Sequence, residues 1–324
     1  MRYAMAAAKP GGSGVIRKIE LGAMSPSAEE VLIRHEAIGL NFLDIYIRNG
    51  AYPWPVETDL VLGSEGAGVI EAVGNNVKGF AVGDRVGYTL ANGAYASHRL
   101  IDARYVVKLP NDVSSELAAA IMLKGLTVAY LIHDSFRVES GHAVLFHAAA
   151  GGVGLIAGQW LNALGAKVIG TAGGADKCAL AKANGYHHVI DYKSADFEAE
   201  VMQLTDGKGV DVTYDSVGND TMARSLTSTR RHGTIIAFGQ SSGPYLDFKI
   251  TDLAKGSYKL SRPTLFHFVA EREWLEASAA KLFTAVTDGM LNISINQKYA
   301  LEDVAKAHDA LTGRATTGST ILTI

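Results

Sequence analysis

Eight residues, His147 to Gly154, read HAAAGGVG. A run of side chains this small lets a backbone turn tightly and approach a phosphate group closely. A β-type apolar run precedes it, and Val153, Ile156, Trp160, Leu161 and Leu164 follow it at helical spacing. A helix starting there would offer unpaired N–H groups and the positive end of its dipole to a pyrophosphate. Ala149 stands at the first glycine position of a dinucleotide-binding fingerprint, with Gly151 and Gly154 at the second and third. Tight strand–helix packing alone would also use such glycines, but a strand, a helix and a second strand in sequence favour cofactor binding.

The segment after the second strand bears on the choice of nicotinamide cofactor. An NAD site places an acid at that strand's end for the ribose hydroxyls, whereas an NADP site replaces it with small and basic residues. Here the chain reads GTAGGADK, so Gly and Ala occupy the strand end and Lys177 follows, within reach of a 2′-phosphate. Asp176 is the contrary residue, and a helix N-cap role would remove the conflict. The expected cofactor is NADPH. The single cysteine, Cys178, lies beside Lys177, which would lower its pKa, but KCALAKA is an ordinary helix-face context.

One cysteine makes neither an internal disulfide nor a cysteine-rich zinc site. None of the ten histidines falls in a ligand-like cluster; His187 and His188 sit in a strand pattern, where neighbours point to opposite faces. The net charge of −3 and the lack of a basic run disfavour nucleic acid. The N-terminal residues hold no signal-peptide core, so the cytoplasm is the expected compartment. Residues 140–166 carry no Asp, Glu, Lys or Arg, yet Gly151, Gly152 and Gly154 interrupt them, and they read as strand then helix rather than as a membrane span.

These residues need elements to hold them. Up to about Leu123, short apolar runs alternate with turns (VLIRHEAIGL, GAGVIEAVG, GDRVGY, YASHRL), the texture of an irregular β-rich domain. From Gly141 strand, turn and helix alternate, predicting a doubly wound, mostly parallel sheet with strands at 143–149, 167–172, 188–192, 210–217 and 233–239. From near Thr264 the pattern is helix (271–289), strand, helix (301–313), strand (318–324). The 35 glycines in 324 residues, about 11% against an ordinary ~7%, are expected at the phosphate turn and in turns such as Gly63, Gly66 and Gly68.

Several stretches carry a family likeness: GLNFLDIYIRNGAYP (39–53), LGSEGAGVIEAVGNNVKGFAVGDRVGY (62–88), GAYASH (93–98), LKGLTVAYLI (123–132), FHAAAGGVGLIAGQWLNALGAKVIGTAG (146–173) and YDSVG (214–218). Nearly end to end, the chain resembles the zinc-free quinone oxidoreductases of the medium-chain dehydrogenase/reductase superfamily, the ζ-crystallin-like type. The resemblance implies an α/β protein in which a GroES-like β-barrel (1–123 and 264–324) holds substrate and a Rossmann domain (124–263) binds the dinucleotide. Zinc-dependent relatives have a cysteine near Asn41 and a histidine at Ser64, so no metal is expected.

Carried over residue by residue, the family's cofactor contacts fall on Tyr46, on Asn41 and Thr127 toward the nicotinamide, and on Gly152 and Val153 at the pyrophosphate. Lys177, Tyr192 and Arg314 would surround the 2′-phosphate. Ser216, Phe238, Ser241 and Phe266 complete the set, the two phenylalanines walling the cofactor or substrate. Asn41, Tyr46 and Tyr52 are the candidate catalytic donors to the oxygen of a reduced quinone. The implied activity is NADPH-dependent quinone reduction by hydride or electron transfer. The alternatives are an NADPH-dependent enone or alkene reductase, or an NADPH-binding structural or RNA-binding role. GSYKLSR (256–262) has strand character, and an exposed sheet edge there would pair with its twin, so a homodimer is expected.

Overall fold

A computed structural model describes residues 1–324. The chain forms two compact units: one of Met1–Leu126, Phe266–Thr287 and Ile293–Ile324, and one of Thr127–Leu265 with Asp288–Asn292.

The first unit opens with β1 (Tyr3–Ala7), β2 (Ile16–Glu20) and β3 (Glu30–Gly39), then helix α1 (Phe42–Arg48). Strands β4 (Leu60–Val61), β5 (Glu65–Val73), β6 (Arg85–Thr89), β7 (His98–Asp102) and β8 (Val106–Lys108) follow, and α2 (Ser115–Tyr130) ends the run. Ten residues long and buried on both faces over most of its length, β3 is the spine. It pairs antiparallel with β5 along its whole length and with β7 over Glu30–Arg34, bulging at Leu32/Ile33 and His35/Ala37. Such bulges bend a strand and increase its twist, which is how a sheet curls toward a barrel. Gly63, with φ +92°, occupies a turn as expected, but Gly66 and Gly68 do not: both lie inside β5. A Cβ at Gly68 would collide with the Arg34 backbone of β3, so the glycine serves close strand approach.

The second unit contains β9 (Ala143–Phe146), α3 (Gly152–Ala163), β10 (Lys167–Ala172), α4 (Ala175–Lys182), β11 (His188–Asp191), α5 (Phe197–Leu204), β12 (Val210–Asp215), α6 (Met222–Ser228), β13 (Thr229–Ala237) and β14 (Lys259–Ser261). The strands form one parallel sheet in the order β11-β10-β9-β12-β13-β14. Val144, Leu145 and Phe146 are fully buried in succession, as expected of a parallel strand covered on both faces. The chain moves outward from β9 through β10 to β11, then returns to β12 on the other side. The gap between the ends of β9 and β12 is therefore the switch point where such sheets bind ligands.

The chain then runs through α7 (Leu265–Val269), α8 (Arg272–Thr287), β15 (Ile295–Ala300), α9 (Val304–Thr312) and β16 (Ser319–Thr323). β16 pairs antiparallel with Ala37–Gly39 of β3, completing the sheet order β15-β16-β3-β5-β6-β8. Ile33, Ile38, Leu62, Tyr88, Tyr95 and Leu322 share one fully buried core. Burial of each such side chain stabilises by about 1.5–3 kcal/mol. Residues 288–292, expected with the first unit, group with the second because Gln159 grips Asn292 twice, at 2.7 and 3.1 Å.

The expected strand ends shift slightly: 143–149 stops at Phe146 and 210–217 at Asp215, because the residues beyond turn into loops. The segment most like a membrane span is Ser115–Ser135 rather than 140–166, and 83% of its apolar window is buried in the fold.

Candidate cofactor and substrate sites

In the second unit the phosphate turn leaves β9 at His147. Ala148 adopts φ +55°, and the Gly151 N–H closes the turn on the Ala148 carbonyl at 3.0 Å. Gly151 is the N-cap of α3; no side chain caps the helix and its first turn holds no acid. The leading N–H groups of Gly152 and Val153 therefore keep their capacity for an anion. Three glycines let this helix approach the sheet. A Cβ on Gly154 would run into the Ala148 and Ala149 carbonyls, and one on Gly158 or Gly170 would meet the Tyr186 ring. The Tyr186 hydroxyl donates to the Gly154 carbonyl at 2.8 Å, locking the approach.

At the end of β10, Gly173 and Gly174 lead into α4, which carries Lys177 half-buried in its first turn. The N-cap of α4 is Gly174, with φ +99°, so Asp176 is not the cap; it lies inside the first turn, where an acid complements the dipole. Tyr192 follows β11 and is 42% exposed, with its ring lying where a Cβ on Gly173 would be. One acid escaped the sequence reading. Asp191 Oδ1 accepts the N–H groups of Gly174 and Lys193 at 2.9 and 3.0 Å, and those bonds hold its carboxyl below the usual range. One of its oxygens is thus committed to the backbone. Lys177 and Tyr192 flank the same strand ends.

Beyond β12 and β13 the chain brings Ser216, Phe238 and Ser241 together. The Phe238 N–H donates to the Asp215 carbonyl at 2.8 Å and the Ser241 N–H to the Ser216 carbonyl at 3.0 Å. The Phe238 ring lies 5.6 Å from that of Phe146. Thr127 is buried in α2. Cys178 lies on α4 with its thiol pushed up by burial, the reverse of an activated nucleophile.

In the first unit Asn41 is the N-cap of α1, and its N–H donates to Asp44 Oδ2 at 2.9 Å. Its side-chain amide donates to Glu65 Oε1 at 2.8 Å, so part of the expected donor is already engaged. Glu65 also accepts the Leu123 N–H at 2.6 Å and faces Lys124 Nζ at 2.5 Å. Ser64 Oγ and the Tyr95 hydroxyl both donate to Asp44, at 2.6 and 2.9 Å. Burial pushes the Asp44 carboxyl up to about 6, although hydrogen bonds from Ser64, Tyr95 and Asn41 oppose the rise. His308 Nε2 meets the Tyr95 hydroxyl at 2.9 Å and its Nδ1 meets Arg48 at 3.0 Å; burial, with the Arg48 charge beside it, lowers its pKa to about 3.

Tyr46 projects from α1, with its ring 5.7 Å from Tyr52 and 6.1 Å from Phe42. The Tyr52 N–H donates to the Tyr46 carbonyl at 3.1 Å, so both candidate phenols stand on one local turn. Phe266 lies in α7, and Arg314 follows α9 in an exposed turn with φ +57°. No three His, Cys, Asp or Glu side chains gather in a way that could hold a metal ion. Asp44 and Arg48 lie four residues apart on the buried face of α1, a signal that was available in the sequence.

Residues 27–111 match the alcohol dehydrogenase GroES-like domain and residues 152–280 the zinc-binding dehydrogenase domain. The chain is 44% identical to a quinone oxidoreductase of Pseudomonas aeruginosa over 96% of both chains, and 43% identical to quinone oxidoreductase 1 of Escherichia coli over 97% of both. The chain belongs to the quinone oxidoreductase family. Its α/β fold, a GroES-like domain joined to a Rossmann-type domain, is that of the medium-chain dehydrogenase/reductase superfamily. A crystal structure of the Escherichia coli quinone oxidoreductase complexed with NADPH matches it with a TM-score of 0.97 at 42% identity, covering 99% of this chain and all of that one. Within the same range, a 2-haloacrylate reductase of Burkholderia is 41% identical over 97% of this chain and 96% of its own. One domain family takes its name from zinc, yet in this quinone oxidoreductase chain Asn41 and Ser64, from which no metal ligation was expected, hydrogen-bond to Glu65 and to Asp44.

Proposed function

We propose that this chain is an NADPH:quinone oxidoreductase that needs no metal. The observation that carries the reading is the uncapped start of α3 behind the His147–Gly151 turn, with Lys177 and Tyr192 at the neighbouring strand ends and Asp191 bound to the Gly174 N–H. The residues present fit a dinucleotide phosphate: N–H groups for the pyrophosphate, a cation and a hydroxyl for the 2′-phosphate. NADPH when bound supplies two electrons as hydride, and with one proton from solvent a quinone leaves as hydroquinone.

The protein's own share is binding, orientation and charge. The proposed cofactor contacts in the second unit are Thr127, Gly152, Val153, Lys177, Tyr192, Ser216, Phe238 and Ser241. Asn41, Tyr46, Phe266 and Arg314 are those of the first. Negative charge develops on a quinone oxygen as it is reduced, and Asn41, Tyr46 and Tyr52 are the proposed donors to it. The barrel-forming unit is assigned to substrate and the parallel sheet to the dinucleotide. The expected homodimer would form along β14, an edge strand of the sheet; in the segment of chain that precedes it, Leu246 and Ile250 are exposed at 83% and 74%. Sedimentation at micromolar concentration tests this, and a monomeric mass overturns it. The cytoplasm remains the proposed compartment.

Steady-state oxidation of NADPH and NADH with a panel of quinones and conjugated enones tests the reading. Quinone turnover with NADPH preferred is the expected result. Turnover of haloacrylates or enones in preference to quinones would instead favour an alkene reductase, a reading supported by the Burkholderia relative. Tight NADPH binding with no turnover of any acceptor would favour a binding role.

A further inference from the structure

Beneath the second unit's switch point runs a chain of buried hydrogen bonds whose direction the structure fixes. Asp215 ends β12 and is fully buried. Its Oδ1 accepts the N–H groups of Val217 and Gly218 at 2.8 and 3.0 Å, and the Thr221 hydroxyl reaches both oxygens. The loop after β12 is thus wrapped around one carboxylate. Ser225 Oγ donates to Asp215 Oδ2 at 2.7 Å, so at its other contact, 3.0 Å from His147 Nε2, that oxygen must accept. His147 is therefore protonated on Nε2, and its Nδ1 accepts the Thr171 hydroxyl at 2.9 Å. Burial lowers the His147 pKa, against the pull of Asp215, in keeping with a neutral ring.

This chain ends on the one strained residue of the phosphate turn. Ala148 holds a left-handed φ of +55°, a conformation costing about 1–2 kcal/mol for a residue with a Cβ, and such strain persists only where neighbours enforce it. Thr171 grips both sides of Ala148. Its hydroxyl holds the His147 ring, and its carbonyl accepts the Ala149 N–H at 3.0 Å. A single line, Thr171–His147–Ser225–Asp215, consequently fixes the turn after β9 and the loop after β12, one on each side of the switch point.

We infer that Asp215, Ser225, His147 and Thr171 are positioning residues that set the two loops in register and thereby determine affinity for NADPH without touching it. The inference rests on the cofactor reading above. Two substitutions at one site separate positioning from packing. Thr171→Val keeps the volume and removes the hydroxyl; Thr171→Ser keeps the hydroxyl and removes a methyl.

The experiment measures NADPH dissociation constants by titration, with kcat, KM and thermal midpoint for each variant. Loss of one buried hydrogen bond in the line predicts about tenfold weaker NADPH binding in Thr171→Val, with kcat at saturating NADPH within about twofold of wild type. Thr171→Ser should bind as wild type does. Ser225→Ala, an independent break in the same line, should weaken binding similarly, and the double variant Thr171→Val/Ser225→Ala should be no worse than about either single one. Wild-type affinity in both Thr171→Val and Ser225→Ala overturns the inference, as does a Thr171→Ser variant weaker than Thr171→Val. Wild-type protein that binds no NADPH would instead overturn the cofactor reading.

Discussion

Lys124 Nζ lies 2.5 Å from Glu65 Oε1 in an ion pair whose side chains are 6% and 0% exposed. Glu65 also receives the Asn41 amide and the Leu123 N–H, so a carboxylate deep in the first unit is surrounded by donors. Its compensation comes mainly from one cation. Lys124→Met should strand that charge and cost about 3–5 kcal/mol in urea unfolding, whereas Lys124→Met/Glu65→Gln should recover a large part of the loss. Equal instability in the two variants would show that the pair's charge is not what matters.

The buried titratable groups set an acid limit. Burial lowers the His35 pKa to about 3, against its bond to the Ala96 carbonyl, and lowers His308 to about 3. In both cases the unfolded chain binds the proton more readily, so their stabilisation is complete above pH ~6.5 and is lost as pH falls toward 3. Asp44 acts the other way: raised to about 6, its carboxyl holds a proton more tightly in the folded state, adding stability as pH falls through 6 toward 4. His147, whose pKa burial also lowers, acts with His35 and His308, and together they outweigh the single Asp44, so stability should fall as pH drops from 6 to 4. In Asp44→Asn the fall should be steeper, read as urea midpoints across that range. A slope unchanged by Asp44→Asn would contradict the assignment.

Lys177 is proposed to meet the 2′-phosphate. Removing a charge-assisted bond worth about 1.5–3 kcal/mol should raise KM for NADPH roughly ten- to hundredfold in Lys177→Ala. KM for NADH should change little, because that cofactor lacks the phosphate. A parallel rise for both cofactors would place Lys177 elsewhere in the site.

Gly154→Ala would press a methyl group against the Ala148 and Ala149 carbonyls. Overpacking there should cost about 1–3 kcal/mol in stability and displace α3 from the turn, weakening NADPH binding. Gly151→Ala has a gentler contact, its nearest neighbour at 3.3 Å, and should be the milder variant by both measures. The reverse order would mean that the turn's backbone, not helix approach, limits binding.

The doubly wound sheet was legible from residues 143–261 because parallel strands buried on both faces write themselves as unbroken apolar runs between helices. The phosphate turn was legible because backbone approach needs small side chains whatever surrounds it. Asp176 was open to misreading, since an N-cap role turns on the φ of Gly174, which composition does not encode. Gly66 and Gly68 looked like turn residues because glycine answers equally to a turn and to a neighbouring strand.

By itself the sequence determined the β-rich and parallel-sheet regions, the dinucleotide turn, the absence of a cysteine framework and the likeness to zinc-free reductases. Tertiary structure alone decided which polar groups meet. Tyr95 finds Asp44 and His308 across 51 and 213 residues of chain, and Thr171, His147, Ser225 and Asp215 form a line although 24 and 78 residues separate its first two links. Local propensity and periodicity act over a few residues, so they specify elements. Hydrogen-bond partners are chosen by burial, where any unpaired polar group costs energy, and burial exists only once the elements have packed.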